Sequence, residues 1–125
     1  MNNLQNYPPY IRHRLVVHPL SASTPVSTLT PLLAFEDLGK YYGSILLVVI
    51  NLSLTDQVHM VVDTSEDGVH LDNDKQQDVV ALPGCQASSE IGPHLVRRYF
   101  ALSAYTDGPG YPTANVQWGI FGLQR

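Results

Sequence analysis

Cysteine and charge are both scarce in this 125-residue sequence. Cys85 is the only cysteine, so the chain cannot form a disulfide within itself, and its synthesis is expected in a reducing compartment. Charged residues make up 14% of the chain, against roughly 25% in an average soluble protein. A surface so poor in charge is typical of a protein that lies against another molecule. The net charge of −4 argues against a nucleic-acid partner, which would require a basic face.

Signals for export and membrane insertion are also missing. The N-terminal stretch MNNLQNYPPY lacks the basic region and apolar run of a signal peptide. The longest apolar run, ILLVVI at 45–50, is far shorter than the roughly 18 residues that span a bilayer. We therefore expect a soluble chain that is not exported by the usual signal and has no membrane partner.

A convincing 3.6-residue apolar repeat is absent as well; only residues 32–43 suggest a single helical turn. Apolar residues instead alternate with a period of two, which predicts strands. The predicted strands are 14–18, 26–30, 43–54, 58–63, 77–82, 95–106 and 114–123. Short strands separated by turn signals predict an all-β fold, an antiparallel β-sandwich or jelly roll. Residues 95–122 are interpreted as one long hairpin with DGPGYP (107–112) at its tip.

The N-terminal 35 residues differ from the rest of the chain. They hold five prolines, and Ser and Thr dominate 21–30. Because proline fixes φ and removes an amide donor, long helices are excluded here. We predict an extended Pro-rich N-terminal arm at 1–35, with one or two strands that join a β-sandwich domain at 36–125. Because it carries Tyr7, Tyr10 and Ile11, we expect this arm to lie on its own domain or on a neighbour.

Residues 63–74 imitate the spacing of an EF-hand calcium loop, with alternating oxygen donors, Gly68 and Asp74 at the twelfth position. An EF-hand loop joins two helices, however, and the residues before Asp63 alternate as a strand. Asp67-Gly68 is also a common hairpin signal, because glycine tolerates positive φ. We therefore favour a turn that reverses the chain, with a return strand starting at 69–71, over a calcium site.

Patterns of catalysis and metal binding are lacking too. The five histidines show neither HxH nor HxxxH spacing, and Cys85 has no nearby thiol. There is no GxSxG elbow and no phosphate-binding glycine loop followed by a helix and lysine. We predict no catalytic residues, no metal site, no cofactor and no enzymatic activity.

Tyrosines placed in arm, turn and strand-end positions are the main candidates for a binding surface. Tyrosine there can anchor a protein interface or stack on a sugar. In the pair Arg97-Arg98, one of the two side chains must face each side of a strand, so one of them can contact a partner. The candidate interface residues are Tyr7, Tyr10, Ile11, Tyr41, Tyr42, Arg97, Tyr105 and Tyr111. A sugar platform of Tyr105, Tyr111 and Trp118 is the alternative, although Trp118 alternates with Val116 and Ile120 and is expected in the core.

Two long segments carry a resemblance. SILLVVINLSLTDQVHMVVDTSEDGVHL (44–71) and RRYFALSAYTDGPGYPTANVQWGIFG (97–122) resemble the jelly-roll cement, or decoration, proteins of tailed-bacteriophage capsids. The matching motifs are the turn at 64–67, the RYF-x-L strand at 98–102, the Gly/Pro-rich loop at 107–112 and the final strand at 116–122. The resemblance extends over residues 38–123, and the first 35 residues match no motif.

The resemblance implies a structural role on the virion. Such proteins bind the outer surface of the phage head and stabilise the joints between major capsid proteins. The implied partners are the major capsid protein and further copies of the chain, as a homodimer or homotrimer. The implied location is the capsid exterior, after synthesis in the host cytoplasm. The alternative function is that of a carbohydrate-binding module, or a phage tail or host-recognition component, on the same sandwich.

Overall fold

A computed structural model of the protein describes residues 14–38, 42–70, 77–91 and 99–124. These residues form nine strands and no helix. The strands are β1 (Leu15–His18), β2 (Thr24–Val26), β3 (Thr30–Asp37), β4 (Tyr42–Asn51), β5 (Val58–Ser65), β6 (Gln77–Ala81), β7 (Gln86–Ile91), β8 (Tyr99–Thr106) and β9 (Ala114–Gln124). The described ranges contain no helix with the length and hydropathy needed to cross a bilayer.

The strands form two antiparallel sheets packed face to face. The first sheet has the order β1-β9-β4-β7, with β2 also paired to β9, and the second has the order β3-β8-β5-β6. If β1 and β2 are counted as one strand, the pairing is nested. The outermost strands along the chain pair with each other, β1 with β9, followed inward by β3 with β8, β4 with β7 and β5 with β6. This nested order is a long hairpin rolled into two sheets, so the predicted jelly-roll sandwich is confirmed.

The main core lies between the two sheets and uses one side of each central strand. The first sheet contributes Ile45, Leu47, Val49, Val116, Trp118 and Ile120, and the second contributes Val58, Met60, Val62, Phe100, Leu102 and Ala104. Trp118 is therefore in the core, as its alternation predicted. His59 points to the opposite side from Val58 and Met60.

A second apolar layer covers the outward face of the first sheet. Phe121 lies between Val16 on β1 and Leu46 on β4, and Leu46 is opposite Glu90 on β7. Phe121 is 0% exposed and Leu46 is 4% exposed. Glu90 ends this row by accepting a hydrogen bond from Arg14 at 2.8 Å. The central strands of the first sheet are thus buried on both faces.

The chain itself crosses part of this outward face. A Cβ added at Gly119 would lie 3.2 Å from the His18 carbonyl oxygen and 3.3 Å from the Leu20 nitrogen. The Ser21 amide also donates to the Trp118 carbonyl at 2.8 Å. The segment after β1 therefore packs closely over β9, and the missing side chain at residue 119 allows this approach.

Two local predictions are wrong, and one strand was not predicted. The described part of 32–43 forms no helical turn, because β3 continues to Asp37 as a strand at one edge of its sheet and β4 begins at Tyr42. Register shifts on either side of Leu33 break the period of two and imitate helical spacing. Residues 27–29 are a loop rather than part of a strand at 26–30. Strand β7 was not predicted at all, since its sequence QASSEI is mostly polar.

The predicted long hairpin at 95–122 is also wrong. Strands β8 and β9 lie in different sheets, and the loop 107–113 carries the chain from one sheet to the other. Both strands turn apolar side chains toward the same core from opposite sides, and alternation alone does not distinguish this arrangement from pairing. Val69 and His70, the described residues of the return strand expected at 69–71, are not in a strand, and β6 (Gln77–Ala81) is the strand that pairs with β5.

The described part of the predicted N-terminal arm contributes strands to both sheets. Strands β1 and β2 pair with β9, and β3 pairs with β8. Pro25 lies in β2 and Pro31 in β3, each at the border of its sheet. Proline is tolerated there because an edge strand need not donate every amide hydrogen.

Candidate functional site

Four loops lie together at one end of the sandwich. They connect β2 to β3, β4 to β5, β6 to β7 and β8 to β9, and nested antiparallel pairing brings all four to the same end. We call this surface the four-loop end; it consists of residues 27–29, 52–57, 82–85 and 107–113.

Backbone hydrogen bonds join these loops to one another. The Gly84 amide donates to the Ser53 carbonyl at 2.7 Å, which connects 82–85 with 52–57. The Thr106 amide donates to the Ser27 carbonyl at 2.9 Å, and its hydroxyl donates to the Pro112 carbonyl at 2.8 Å. The loops therefore hold each other in one arrangement.

A buried asparagine fixes the base of the four-loop end. Asn51 is 1% exposed at the last position of β4. Its Nδ2 donates to the carbonyls of Asp56 at 2.7 Å and Ala81 at 3.0 Å, and its Oδ1 accepts from the Ser53 amide at 3.0 Å. One side chain thus satisfies three backbone groups at the place where the strands separate.

Large apolar side chains are concentrated on this surface. Of the nine large hydrophobic residues that are exposed in the described parts of the chain, five belong to the four-loop end. They are Leu29 (64% exposed), Leu52 (44%), Leu54 (84%), Leu82 (56%) and Tyr111 (56%). Single exposed leucines are common on protein surfaces, whereas a group of this kind marks an interaction site.

The charge of the four-loop end has one sign. Its ionisable carboxylates are Asp56 and Asp107, and its sequence contains no lysine or arginine. Hydrogen bonds from Gln57 and His59 lower the pKa of Asp107, which keeps that carboxylate ionised. The surface is therefore apolar with a negative border.

A histidine between two carboxylates lies beside this end, on the outward face of the second sheet. His59 Nε2 is 2.7 Å from Asp107 Oδ2, and His59 Nδ1 is 3.1 Å from Asp78 Oδ2. The imidazole stacks on Tyr105 with ring centroids 4.6 Å apart, and Gln57 Nε2 donates to Asp107 at 2.8 Å. We call these five residues the His59 cluster. It ties the loop 107–113 to β5 and β6.

The protonation of His59 controls this contact. Burial alone would lower the pKa of His59, but the hydrogen bonds to Asp107 and Asp78 outweigh it, and the pKa is raised above its usual value. Protonated imidazole donates from both nitrogens and so bonds both carboxylates. Neutral imidazole has one donor and must release one of them.

The stability of the protein is therefore expected to fall as the pH rises through the folded-state pKa of His59. The contribution of His59 is complete below its unfolded pKa of about 6.5 and is lost above the folded value. The measurement is urea unfolding between about pH 5.5 and 8.5. The pKa of His70 is raised as well, by its bond to Asp67, so the comparison uses a His70→Gln background. Adding His59→Gln should flatten the profile; an unchanged slope would contradict the assignment.

The described part of the segment that imitates a calcium loop, residues 63–70, contains the expected turn, which is held by its own side chains. Asp67 Oδ1 accepts from the amides of Val69 and His70 at 2.9 Å each and from the Ser65 hydroxyl at 2.9 Å. These bonds, with the one from the His70 ring, lower the pKa of Asp67. Gly68 has φ +81° and packs against the Tyr99 ring. Within the described part of the chain, no three His, Cys, Asp or Glu side chains are arranged to hold a metal ion.

The predicted interface residues have different outcomes. Tyr105 belongs to the His59 cluster, and Tyr111 is an exposed member of the four-loop end, where it adopts φ +49°. Tyr42 lies in β4 opposite Gln124. The other predicted residues, Tyr7, Tyr10, Ile11, Tyr41 and Arg97, lie outside the described residues.

Most residues of the candidate site were not predicted from the sequence. Leu29, Leu54 and Leu82 were not singled out, and neither was the pair Asp78 and Asp107 around His59. Each of these leucines was instead placed inside a predicted strand, at 26–30, 43–54 or 77–82. The Ser, Thr, Pro and Gly residues beside them indicate that the strands end earlier, and apolar residues in such turn segments are candidates for contact with a partner.

Comparisons with known proteins add no relative: no family model matches the chain, and neither the curated proteins nor the solved structures contain a match.

Proposed function

We propose that the protein is a structural virion protein, a capsid cement protein that binds the outside of a phage head and stabilises joints between major capsid proteins. The observation that carries the proposal is the four-loop end, where five large apolar side chains are exposed on one surface. The low charge of the chain and its resemblance to jelly-roll decoration proteins support the same function.

The physical role of such a protein is to add buried area at each joint of the shell. A stable protein interface buries on the order of 1,600 Å² in total, and an interface of modest size suffices when it is repeated over a symmetric particle. Self-association as a homodimer or homotrimer belongs to the proposal, because copies bound near a symmetry axis are brought together by that axis. The chain supplies adhesion only, and no step of chemistry is assigned to it.

The test uses undecorated capsids assembled from the major capsid protein of the phage that encodes this chain. We expect the purified protein to sediment with these capsids and to raise their resistance to heat and chelators, because each bound copy adds contacts that must break before the shell opens. The measurement is the temperature of DNA release or shell disruption, with and without the protein. An unrelated β-sandwich protein at equal concentration is the control. Capsids that neither bind the protein nor gain resistance would contradict the proposal.

The alternative, a carbohydrate-binding or host-recognition module, depends on aromatic side chains that are free to stack on a sugar. Tyr111 is 56% exposed and meets this condition, whereas Trp118 is buried in the core and Tyr105 stacks on His59. One free aromatic is a weak platform compared with the two or three that the alternative requires. Glycan-array binding that is lost in Tyr111→Ala, together with no binding to capsids, would favour this alternative.

A further inference from the structure

We propose that the four-loop end is the surface that contacts the capsid, and that it binds an apolar protein patch bordered by lysine or arginine. This inference rests on the proposed function and specifies which surface carries it out and what chemistry it recognises. It assigns the contact to loops at one end of the sandwich rather than to a sheet face.

The chemistry of the surface selects the class of partner. Leucine side chains offer no hydrogen bonds, so Leu29, Leu54 and Leu82 gain most from contact with other apolar groups. Asp56 and Asp107 at the border repel the phosphates of nucleic acids and of anionic lipid headgroups. A protein surface that combines apolar and basic residues satisfies both requirements, and interfaces with this complementarity associate quickly and specifically.

The same charges argue against a second copy of this chain seated on the same end. A two-fold dimer through the four-loop end would place identical patches face to face. Asp56 and Asp107 of one copy would then lie near the same carboxylates of the other, and the four-loop end has no lysine or arginine to separate them. Like charges at an interface disfavour association, so we assign this end to a different protein.

The loops are also held in position before any partner arrives. Asn51 fixes 52–57 to the end of β6, and the amide of Gly84 bonds to Ser53. On the other side, His59 holds Asp107 at 2.7 Å. A surface that is ordered in advance loses little conformational entropy on binding, which favours a tight contact from a small area.

The first experiment places charge on the apolar surface. Leu54→Asp combined with Leu82→Asp is expected to weaken capsid binding at least about tenfold, since central apolar contacts dominate most interfaces. Val69→Asp is the matched control, because Val69 is 74% exposed but follows the end of β5 that lies away from the four-loop end. Both variants change only exposed positions, and circular dichroism and thermal unfolding verify that they fold.

The outcomes separate the inference from the proposed function. Loss of binding in the double variant but not in Val69→Asp supports the inference. A double variant that binds capsids as tightly as the wild-type protein would overturn the inference and leave the proposed cement function unaffected. Wild-type protein that binds no capsid would overturn the function and, with it, the inference.

A second measurement uses the single cysteine as a built-in probe. Cys85 is exposed within the four-loop end. Its reaction with a maleimide is expected to slow at least about tenfold when the protein is bound to capsids, because a partner seated on that end excludes the reagent. The control variant combines Cys85→Ser with Val69→Cys and should react equally fast in the free and bound states. Equal labelling of Cys85 in both states, or protection of residue 69 alone, would contradict the assignment.

Discussion

Asn51→Asp is expected to reduce the free energy of unfolding by about 3 to 5 kcal/mol, one of the largest effects available in the chain. The change keeps the shape of the side chain but replaces the Nδ2 donor with an oxygen. That oxygen would face the carbonyls of Asp56 and Ala81 at distances of 2.7 and 3.0 Å, with no hydrogen between them. Because residue 51 is 1% exposed, water cannot compensate. The measurement is equilibrium urea unfolding at neutral pH.

Gln117→Glu is the matched control for this change. Gln117 also donates from its amide to a carbonyl, that of Ser21 at 3.2 Å, but its side chain is only half-buried. A half-buried carboxylate at this position can turn toward water, so we expect a loss below about 1 kcal/mol. Equal losses in the two variants would show that Asn51 is not the anchor of the four-loop end. Asn51→Ala should fall between them, because it strands the same backbone groups without adding charge.

Phe121→Ala is expected to destabilise the protein by about 3 to 5 kcal/mol, even though Phe121 faces away from the core between the sheets. Phe121 is 0% exposed and packs with Leu46, Val48 and Val16 in the second apolar layer. Removing the ring leaves a cavity in a layer that β-sandwiches usually expose to solvent. Thermal or urea unfolding measures the loss.

Leu123→Ala tests whether the loss of stability comes from the buried second apolar layer or would follow from any truncation on this face of β9. Leu123 is two residues further along β9 on the same face, but it is 44% exposed. A loss below about 1 kcal/mol is expected there, since little apolar area is removed from a buried environment. A small effect at Phe121, comparable to that at Leu123, would mean that the outward layer contributes no more than an ordinary surface.

The sequence predicted the fold class because alternation in the central strands is strong. Residues 58–63 and 114–123 alternate cleanly, and β5 and β9 were found where this pattern placed them. Prediction failed at two of the four edge strands, β3 and β7, whereas the edge strands β1 and β6 were found where they were predicted. β7 is polar because it lies at one border of its sheet, and β3 is irregular, so neither displays the pattern of a half-buried strand.

Which strands pair could not be predicted, for a different reason. Alternation shows which side chains turn inward, but it does not show which strands pair. The same alternation of apolar residues results when β8 faces β9 across a core and when β8 pairs with β9 in a hairpin. The candidate site depends on this choice. Asp78 and Asp107 come from distant parts of the chain and meet at His59 only because β6, β5 and β8 are neighbours in one sheet. The exposed leucines converge on one end for the same topological reason.

The position of β9 also governs when this molecule can become native. β9 is the last described strand to leave the ribosome, yet it occupies the interior of its sheet, in contact with β1, β2 and β4. Until it is synthesised, β4 and the two short N-terminal strands lack their shared neighbour, and apolar surface on both sides of β4 stays open to water. Folding must therefore wait for nearly the whole of this sequence and then form contacts between its extremes, a slow process during which unpaired strands are vulnerable to aggregation.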